Sequence, residues 1–240
     1  MPALLDDGCM TTTFITGANK SLGYETARRL VLAGHTVLVG ARDPERGRAA
    51  AEALGARFVQ IDVTDDASVA AAAADVLAHE GVVDVLVNNA GVNAPHVPVE
   101  QLSAADLSAV LDVNVVGAVR VFHAFLPLLR RSGSPVVVNV SSGMGSFAAT
   151  HDPERVESSV VSPFYTASKA ALTMLTTQYA RAFPDIKVNA ADPGYTATDF
   201  NGHSGPQTVT EGTDAIVELA SIGADGPTGA FRDRHGVAPW

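Results

Sequence analysis

The chain has 240 residues, 47% of them hydrophobic, which is enough apolar material for one large core, so we expect a single domain over residues 1–240. Sixteen Lys and Arg residues against 26 Asp and Glu residues give a net charge of −10, which opposes binding to nucleic acid or to an anionic membrane. Because Cys9 is the one cysteine, no disulfide can form within the chain, and a cytoplasmic location fits best. We expect a loose N-terminal segment over residues 1–11, no targeting segment, and no apolar run of the ~18 residues that span a membrane.

Short β-branched runs alternate with longer runs rich in Ala and Leu. This alternation is typical of repeated β-α-β units, in which helices cover both faces of a parallel sheet and the strands are apolar throughout. We therefore predict a single-domain α/β Rossmann fold, with a doubly wound parallel sheet of about seven strands and helices on both faces. The predicted strands are residues 12–16, 36–40, 58–61, 83–87, 136–140 and 187–190.

A glycine-rich turn follows the first predicted strand directly, and a helix is predicted after it, from about residue 24 to 33. Glycine lets the backbone turn sharply and approach a pyrophosphate, while the free N–H groups at the helix start favour its negative charge. The turn therefore predicts a nucleotide site, although such a turn can also be only a tight connection. Its candidate contacts are Gly17, Asn19, Lys20, Ser21, Leu22 and Gly23.

The residues after the second predicted strand indicate which nucleotide is bound. An acidic side chain at this place would accept hydrogen bonds from the ribose of NAD, but the chain has Ala41 and Arg42, followed by Asp43. A guanidinium suits a 2′-phosphate, and Lys20 in the turn supplies a second cation. We therefore predict NADP(H) as the cofactor, and the alternative is that Arg42 is a solvated surface charge.

Tyr165 and Lys169 lie four positions apart in an Ala-rich stretch that we predict to be helical, so both side chains project from one helix face. A nearby ammonium would lower the pKa of the phenol from its usual value of about 10 toward neutrality, as an acid/base catalyst requires. The same spacing also arises by chance on helix surfaces, so the other motifs decide the interpretation.

Six motifs occur in order along the chain: the glycine turn from Thr16, Asn88-Asn89-Ala90-Gly91, Asn114 in a predicted helix, Asn139-Val140-Ser141-Ser142, Tyr165 with Lys169, and Pro193-Gly194 with Thr198. Together they resemble the short-chain dehydrogenase/reductase superfamily, in its NADPH-dependent carbonyl-reductase-like branch, from about Thr12 to the C-terminus. The resemblance implies an oxidoreductase that transfers a hydride between NADP(H) and a carbonyl or alcohol, with reduction of a ketone, aldehyde or quinone favoured.

The resemblance also implies roles for individual residues. Tyr165 would be the general acid/base, Lys169 would lower its pKa and bind the nicotinamide ribose, and Ser142 would hydrogen-bond the substrate oxygen. Asn114 would hold a water that links Lys169 to solvent, and the hydride belongs to the nicotinamide. Further cofactor contacts would be Asp62 and Val63 at the adenine, Asn88, Asn89, Ala90 and Gly91 at the ribose, and Pro193, Gly194, Thr196 and Thr198 at the carboxamide.

Two features depart from the family pattern. Ser21 stands where the family has a glycine, and its Cβ is expected to weaken cofactor binding unless its hydroxyl compensates by binding the phosphate. Ser142 and Tyr165 are 23 positions apart, which is longer than is common in the family. The additional residues, around 151–160, fall in an irregular stretch over residues 143–163, which we predict to be an extended loop at the wall of the substrate site.

Two alternative functions stay open at the level of sequence. One is an NADP-dependent alcohol dehydrogenase that works in the oxidative direction, and the other is a catalytically silent NADP(H)-sensing regulator, which would be expected to lose Tyr165 or Lys169. The seven histidines show no paired ligand spacing, so no metal site is predicted, while His203 and His235 are candidates for the substrate cleft. Apolar helices predicted over residues 111–129 and 164–183 leave room for a homodimer or homotetramer.

Overall fold

A computed structural model describes residues 10–240, so Cys9 and most of the expected N-terminal segment lie outside the described residues. Within them, one sheet has the strand order β3-β2-β1-β4-β5-β6-β7-β8, in which β8 pairs antiparallel with β7 and all other pairs are parallel. The strands are β1 (Thr12–Thr16), β2 (Thr36–Ala41), β3 (Arg57–Gln60), β4 (Val85–Asn88), β5 (Val136–Val140), β6 (Lys187–Ala191), β7 (Phe231–Asp233) and β8 (Gly236–Val237).

The strand order confirms the predicted doubly wound α/β fold. The chain winds outward in one direction from β1 to β3 and in the other from β4, so a crevice opens at the carboxyl ends of β1 and β4. The predicted strands 12–16 and 136–140 have the observed bounds, and the other predicted strands differ by one or two residues at one or both ends. Strands β7 and β8 were not predicted individually, because strands of two or three residues are too short to show a hydrophobic period.

Helices cover both faces of the sheet. They are α1 (Ser21–Leu32), α2 (Pro44–Leu54), α3 (Asp66–His79), α4 (Ala104–Leu111), α5 (Gly117–Leu129), α6 (Phe147–His151), α7 (Pro163–Ala182), α8 (Val209–Gly212) and α9 (Asp214–Ala220). A π-helical turn, Asp112–Val116, joins α4 to α5 without a break, so the helix predicted to start at residue 111 in fact begins earlier. Such turns are often found at functional sites, and this one contains Asn114.

The core consists of two apolar layers, one on each face of the sheet. Adjacent residues of β1 show the division, because Phe14 packs with α3 and α5 on one face whereas Ile15 packs with α1 and α9 on the other. Both side chains are fully buried, and the rings of Phe14 and Phe125 have centroids 4.4 Å apart. Two covered faces explain why β1 and β5 are buried at every position rather than at alternate ones.

The continuous helix Ala104–Leu129 corrects one sequence expectation. Among the described residues it is the one helix that is long and apolar enough to cross a membrane, with 26 residues and a mean hydropathy of 1.6. Core helices of water-soluble proteins often meet this criterion as well. Here Phe122, Phe125 and Leu129 are buried in the core layer against the sheet, and 33% of the apolar window as a whole is buried.

The stretch over residues 143–163, predicted to be an irregular loop, contains ordered helical turns. It comprises the 3₁₀ turn Gly143–Gly145, helix α6 and the 3₁₀ turn Val156–Ser159. The Ser146 hydroxyl caps α6 by accepting a hydrogen bond from the Ala149 N–H (2.9 Å), and the Ala148 N–H donates to the Trp240 carbonyl (3.0 Å). The C-terminal residue therefore holds this wall in place.

Candidate active site

The glycine turn between β1 and α1 is held in shape by the motif after β4. The Asn89 side-chain amide donates to the carbonyls of Thr16 (2.9 Å) and Gly17 (3.1 Å), and the Thr16 hydroxyl accepts from the N–H groups of Asn89 and Ala90 (3.0 Å each). A Cβ on Gly23 would collide with the Gly17 carbonyl. Glycine at position 23 is therefore required by close packing of the turn on itself.

The N-terminus of α1 is available to an anion. Its N-cap, Lys20, makes no side-chain capping bond, whereas the N-termini of α2 and α3 are capped by Asp43 and Asp65. Free N–H groups and the positive end of a helix dipole together favour a phosphate. The uncapped helix and the tightly closed turn therefore fit a dinucleotide whose pyrophosphate lies over residues 17–23.

A cleft of about 300 Å³ lies above this turn. The predicted cofactor contacts that line it are the six residues of the turn together with Arg42, Asp62, Val63, Asn89, Ala90 and Gly91. The sequence did not indicate the other lining residues, Ile61, Thr64, Val92, Val113, Asp199 and Phe200, because they belong to none of the motifs. Asn88 does not line the cleft, since it is buried and its side-chain amide donates to Asn139 (2.9 Å).

Ser21 has a backbone φ of +48°, in the left-handed region. Glycine adopts this conformation readily, whereas a residue with a Cβ adopts it at a cost of roughly 1–2 kcal/mol. The departure from the family pattern therefore falls at a position whose backbone favours glycine. Because Ser21 also lines the cleft, the strain lies at the cofactor site itself.

The surroundings of Arg42 remove one objection to NADP(H). The neighbouring Asp43 carboxylate accepts hydrogen bonds from the N–H groups of Glu45 (3.0 Å) and Arg46 (3.1 Å), so it is engaged at the start of α2. The exposed Arg42 side chain borders the cleft beside Asp62. The pKa of Asp62 is lowered, chiefly by hydrogen bonds from Thr64 and in part by the charge of Arg42.

The predicted catalytic residues converge at the carboxyl ends of β4 and β5. Lys169 is 5% exposed, and its Nζ donates to the Val140 carbonyl (2.7 Å) and lies 5.6 Å from the centroid of the Tyr165 ring. A Cβ on Gly91, which lines the cofactor cleft, would lie 3.7 Å from Lys169 Nζ and 3.4 Å from Asn114 Oδ1. Lys169 and Asn114 are thus directly behind the cleft, on the side of Gly91.

The Asn114 side chain fixes the segment that follows Gly91. Its Oδ1 accepts from the Val92 N–H (2.8 Å), and its Nδ2 donates to the Val92 carbonyl and the Ser168 hydroxyl (2.9 Å each). These bonds join the π-helical turn to the β4 loop and to α7. The role of Asn114 in holding a water stays a prediction.

The two serines after β5 have different surroundings, as strand alternation predicts. Ser141 is buried, and its hydroxyl lies 2.6 Å from Thr173 Oγ1 and donates to the Lys169 carbonyl (3.3 Å). Ser142 lines a second cavity of about 330 Å³, which Tyr165 also lines. Only Ser142 can therefore reach a molecule in that cavity.

This second cavity adjoins the cofactor cleft at Phe200, which lines both and whose ring centroid is 5.4 Å from that of Tyr165. Its apolar wall includes Met144, Val156 and Val160 from the extended stretch, whose place at a substrate site stays a prediction. Gly194, Thr196 and Thr198 line the same cavity, whereas Pro193 lines a neighbouring one. Neither of the two histidines predicted near the substrate cleft lines the cavity of Ser142 and Tyr165. His203 lies 3.0 Å from the Asp199 carboxylate, and His235 borders the neighbouring cavity.

The acidity of Tyr165 differs from the sequence prediction. Its pKa is raised to about 12, chiefly by burial and in smaller part by the charge of Asp192, while a hydrogen bond with the Ser142 side chain opposes the shift. Burial also lowers the pKa of Lys169 to about 8. The predicted lowering of the tyrosine pKa is therefore wrong for this structure, because loss of water around the phenolate outweighs the hydrogen bond with Ser142.

A doubly wound sheet with a glycine turn and cleft at its switch point is the architecture of a dinucleotide-binding protein. The family model described as short chain dehydrogenase matches residues 11–208, and the chain belongs to this family of oxidoreductases, which use a nicotinamide cofactor. The resemblance seen in the sequence motifs is thereby confirmed.

Known proteins of similar sequence and structure agree with this membership. The chain is 33% identical to short-chain dehydrogenase/reductase 1 of Saponaria officinalis, over 94% of this chain and 95% of that protein. It is 29% identical to (+)-neomenthol dehydrogenase of Capsicum annuum, over 93% and 95% of the two chains. The structure of an NADPH-bound carbonyl reductase from chicken fatty liver superposes with a TM-score of 0.85 at 27% identity, covering 96% of this chain and 99% of that one.

Proposed function

We propose that the protein is an NADPH-dependent carbonyl reductase that reduces a ketone, aldehyde or quinone. The observation that supports this most directly is that the Ser142 and Tyr165 side chains line one mostly apolar cavity, which adjoins the cofactor cleft. The oxygen of a substrate carbonyl in that cavity could form hydrogen bonds with the hydroxyl groups of Ser142 and Tyr165. The carbonyl would also lie next to the cofactor cleft.

The residues divide the work of reduction between them. Ser142 donates a hydrogen bond to the carbonyl oxygen, where negative charge grows, and Tyr165 gives that oxygen a proton. Bound NADPH supplies the hydride that the carbonyl carbon receives. Lys169 holds a positive charge beside the tyrosine ring, 5.6 Å from its centroid, and faces the ribose side of the cleft through Gly91.

The preference for NADP(H) over NAD(H) is part of the proposal. Arg42 borders the cleft where the second strand ends, and Asp43, the acidic residue that could have accepted hydrogen bonds from a ribose, is engaged at α2. A guanidinium can form two parallel hydrogen bonds to a phosphate. The carbonyl reductase from chicken fatty liver, of similar structure, is described as NADPH-bound.

The acidity of Tyr165 favours reduction over the oxidative alternative. A phenol with a pKa of about 12 keeps its proton at neutral pH and is ready to donate it, whereas oxidation of an alcohol needs the phenolate as a base. The second alternative, a silent NADP(H) sensor, does not require Tyr165 and Ser142 to share a cavity, as they do here.

A turnover assay tests the proposal. NADPH oxidation is followed with a panel of ketones, aldehydes and quinones for the unaltered protein and for Tyr165→Phe. Because general acid catalysis contributes roughly 10²–10⁴-fold, a loss of that size is expected in Tyr165→Phe. The matched control is Tyr179→Phe on the same helix, whose hydroxyl lies 3.1 Å from His123 and away from both cavities. Equal turnover in the Tyr165→Phe variant and the unaltered protein would refute Tyr165 as the acid.

The cytoplasmic location and the assembly into a homodimer or homotetramer stay predictions. Two subunits would meet through the helices predicted over residues 111–129 and 164–183. The exposed large apolar side chains that the structure describes there are Val116, on the π-helical turn, and Met174, on α7.

A further inference from the structure

The charged residues around the substrate cavity are of one sign. Its described lining includes the carboxylates of Glu157 and Asp192 and the imidazole of His96, and contains no Lys or Arg. Neither carboxylate belongs to a motif that the sequence indicated. Their place therefore bears on which substrates the cavity takes.

Both carboxylates lie next to the residue that follows Ser142. A Cβ on Gly143 would touch Glu157 Oε1 and would lie 2.8 Å from Asp192 Oδ2. Glu157 and Asp192 are 9% and 4% exposed, so water screens them little. The carboxylates are therefore at the end of the cavity where the substrate oxygen is bound.

The positive charges nearest to this end lie outside the cavity. Arg155 donates to Glu157 through Nε (3.2 Å) and Nη2 (3.0 Å), but it lines the neighbouring cavity. Lys169 lines neither and donates to Val140. Asp192 accepts a hydrogen bond from the Gly194 N–H (2.9 Å), and its pKa is raised by burial, with the charges of Glu157 and Asp233 raising it further.

We propose that the substrate cavity selects by charge, with Glu157 as the residue that determines specificity: it takes uncharged carbonyl compounds and amine-bearing ones, and rejects those that carry a carboxylate or phosphate. This inference depends on the proposed carbonyl reduction. An anionic group would lose its water, find no cation in the cavity wall and face a buried carboxylate. A protonated amine would instead find an opposite charge.

Three aryl ketones whose para substituents are similar in size and differ in charge provide the test. They are para-isopropylacetophenone, para-acetylbenzoate and para-(dimethylaminomethyl)acetophenone. The unaltered protein is expected to reduce the uncharged and the amine-bearing ketone with a kcat/KM at least about tenfold above that of the carboxylate. Calorimetry on the NADPH-loaded protein measures the dissociation constants of the three ketones without turnover. We expect the carboxylate to bind most weakly.

Substitutions identify the residue responsible. Glu157→Gln leaves Arg155 without its partner beside the cavity, and we expect it to raise the kcat/KM ratio of carboxylate to uncharged ketone about tenfold or more. Arg155→Gln is expected to change the ratio in the opposite direction. The matched control is Glu154→Gln, an exposed residue of the same segment, which should leave the ratio unchanged. NADPH binding and the thermal unfolding midpoint show whether each variant is folded. If Glu157→Gln does not fold, Arg155→Gln alone tests the inference.

Each outcome separates this inference from the proposed function. Equal kcat/KM or equal affinity for the three ketones would overturn charge selection, as would a ratio that neither Glu157→Gln nor Arg155→Gln changes. Failure of all three ketones to bind would also overturn it. Binding in the expected order without turnover of any ketone would support charge selection and count against the reductase.

Discussion

Lys20 in the glycine turn and Asp199 in the segment after β6 form an ion pair, with 3.2 Å between Nζ and Oδ2. Both residues line the cofactor cleft, and the carboxylate also lies 3.0 Å from His203. One of the two cations predicted to bind the cofactor phosphates is thus already paired with a carboxylate. The pKa of Asp199 is lowered, chiefly by this hydrogen bond from Lys20.

This pair predicts that Asp199→Asn strengthens NADPH binding. Because both side chains are more than half exposed, the pair is weak, and we expect the NADPH dissociation constant to fall only about two- to fivefold. The gain should shrink as salt concentration rises. Fluorescence titration with NADPH measures both. The control is Asp185→Asn, which removes an exposed ion pair with Arg130 outside the cleft. A similar gain in NADPH affinity in this variant would show that the effect does not come from the pair of Lys20 and Asp199.

Arg42→Asp is expected to reverse the cofactor preference. The variant loses the guanidinium that would bind the 2′-phosphate and gains a carboxylate for the ribose hydroxyls, so NADPH affinity should fall by roughly ten- to a hundredfold, as for a lost charged hydrogen bond. NADH affinity should rise. Titrations with both nucleotides measure the change. Arg48→Asp, at an exposed position of α2 outside the cleft lining, has the same change of charge and should alter neither affinity. Unchanged NADPH affinity in Arg42→Asp would refute the assignment of Arg42.

Ser21→Gly is expected to stabilise the protein and to tighten NADPH binding. Glycine removes the strain at φ +48°, and we expect the free energy of unfolding to rise by about 0.5–1 kcal/mol, less than the full strain because glycine loses more chain entropy on folding. Chemical denaturation and NADPH titration provide the measurements. Ser21→Ala keeps the Cβ and lacks the hydroxyl, so it should show no such gain. If both variants bind NADPH more weakly to the same extent, the hydroxyl matters more than the backbone.

The pKa values of Tyr165 and Lys169 predict how reduction depends on pH. Lys169 is protonated below its pKa of about 8 and Tyr165 keeps its proton up to about 12, so kcat/KM for reduction should be constant below pH 8 and fall as Lys169 loses its charge. The charge of Asp192 raises both values, so Asp192→Asn should move this decline to lower pH. Profiles of kcat/KM against pH for the two proteins provide the check. A decline at the same pH in both would contradict the coupling to Asp192.

The same lysine predicts a trend in stability. Its pKa in the folded protein, about 8, is below its ordinary value of 10.5, so the unfolded chain binds more protons between these two values. Stability therefore rises with pH from about 8 to 10.5 at this residue. Urea denaturation of the unaltered protein and of Lys169→Met isolates the contribution, which should be absent in the variant.

Sequence alone determined the fold class and the position of the cleft. Residues 12–16 and 136–140 place apolar side chains at consecutive positions, such as Phe14 with Ile15, and only a sheet covered on both faces buries them all. The glycine turn follows the first of these strands, where parallel sheets bind nucleotides, and a local pattern suffices to show it. The order of the motifs then identified the family.

Tertiary structure decided the charges and acidities of the site. The pKa of Tyr165 depends on how much water reaches its hydroxyl and on Asp192, which is distant in the chain, and no pattern of spacing encodes either effect. Glu157 lies beside Gly143, the residue after Ser142, because the extended stretch folds into short helical turns over the cavity. Periodicity and motifs reflect local backbone preference. Desolvation and charge pairing depend on all the groups around a side chain, and only the folded chain brings those groups together.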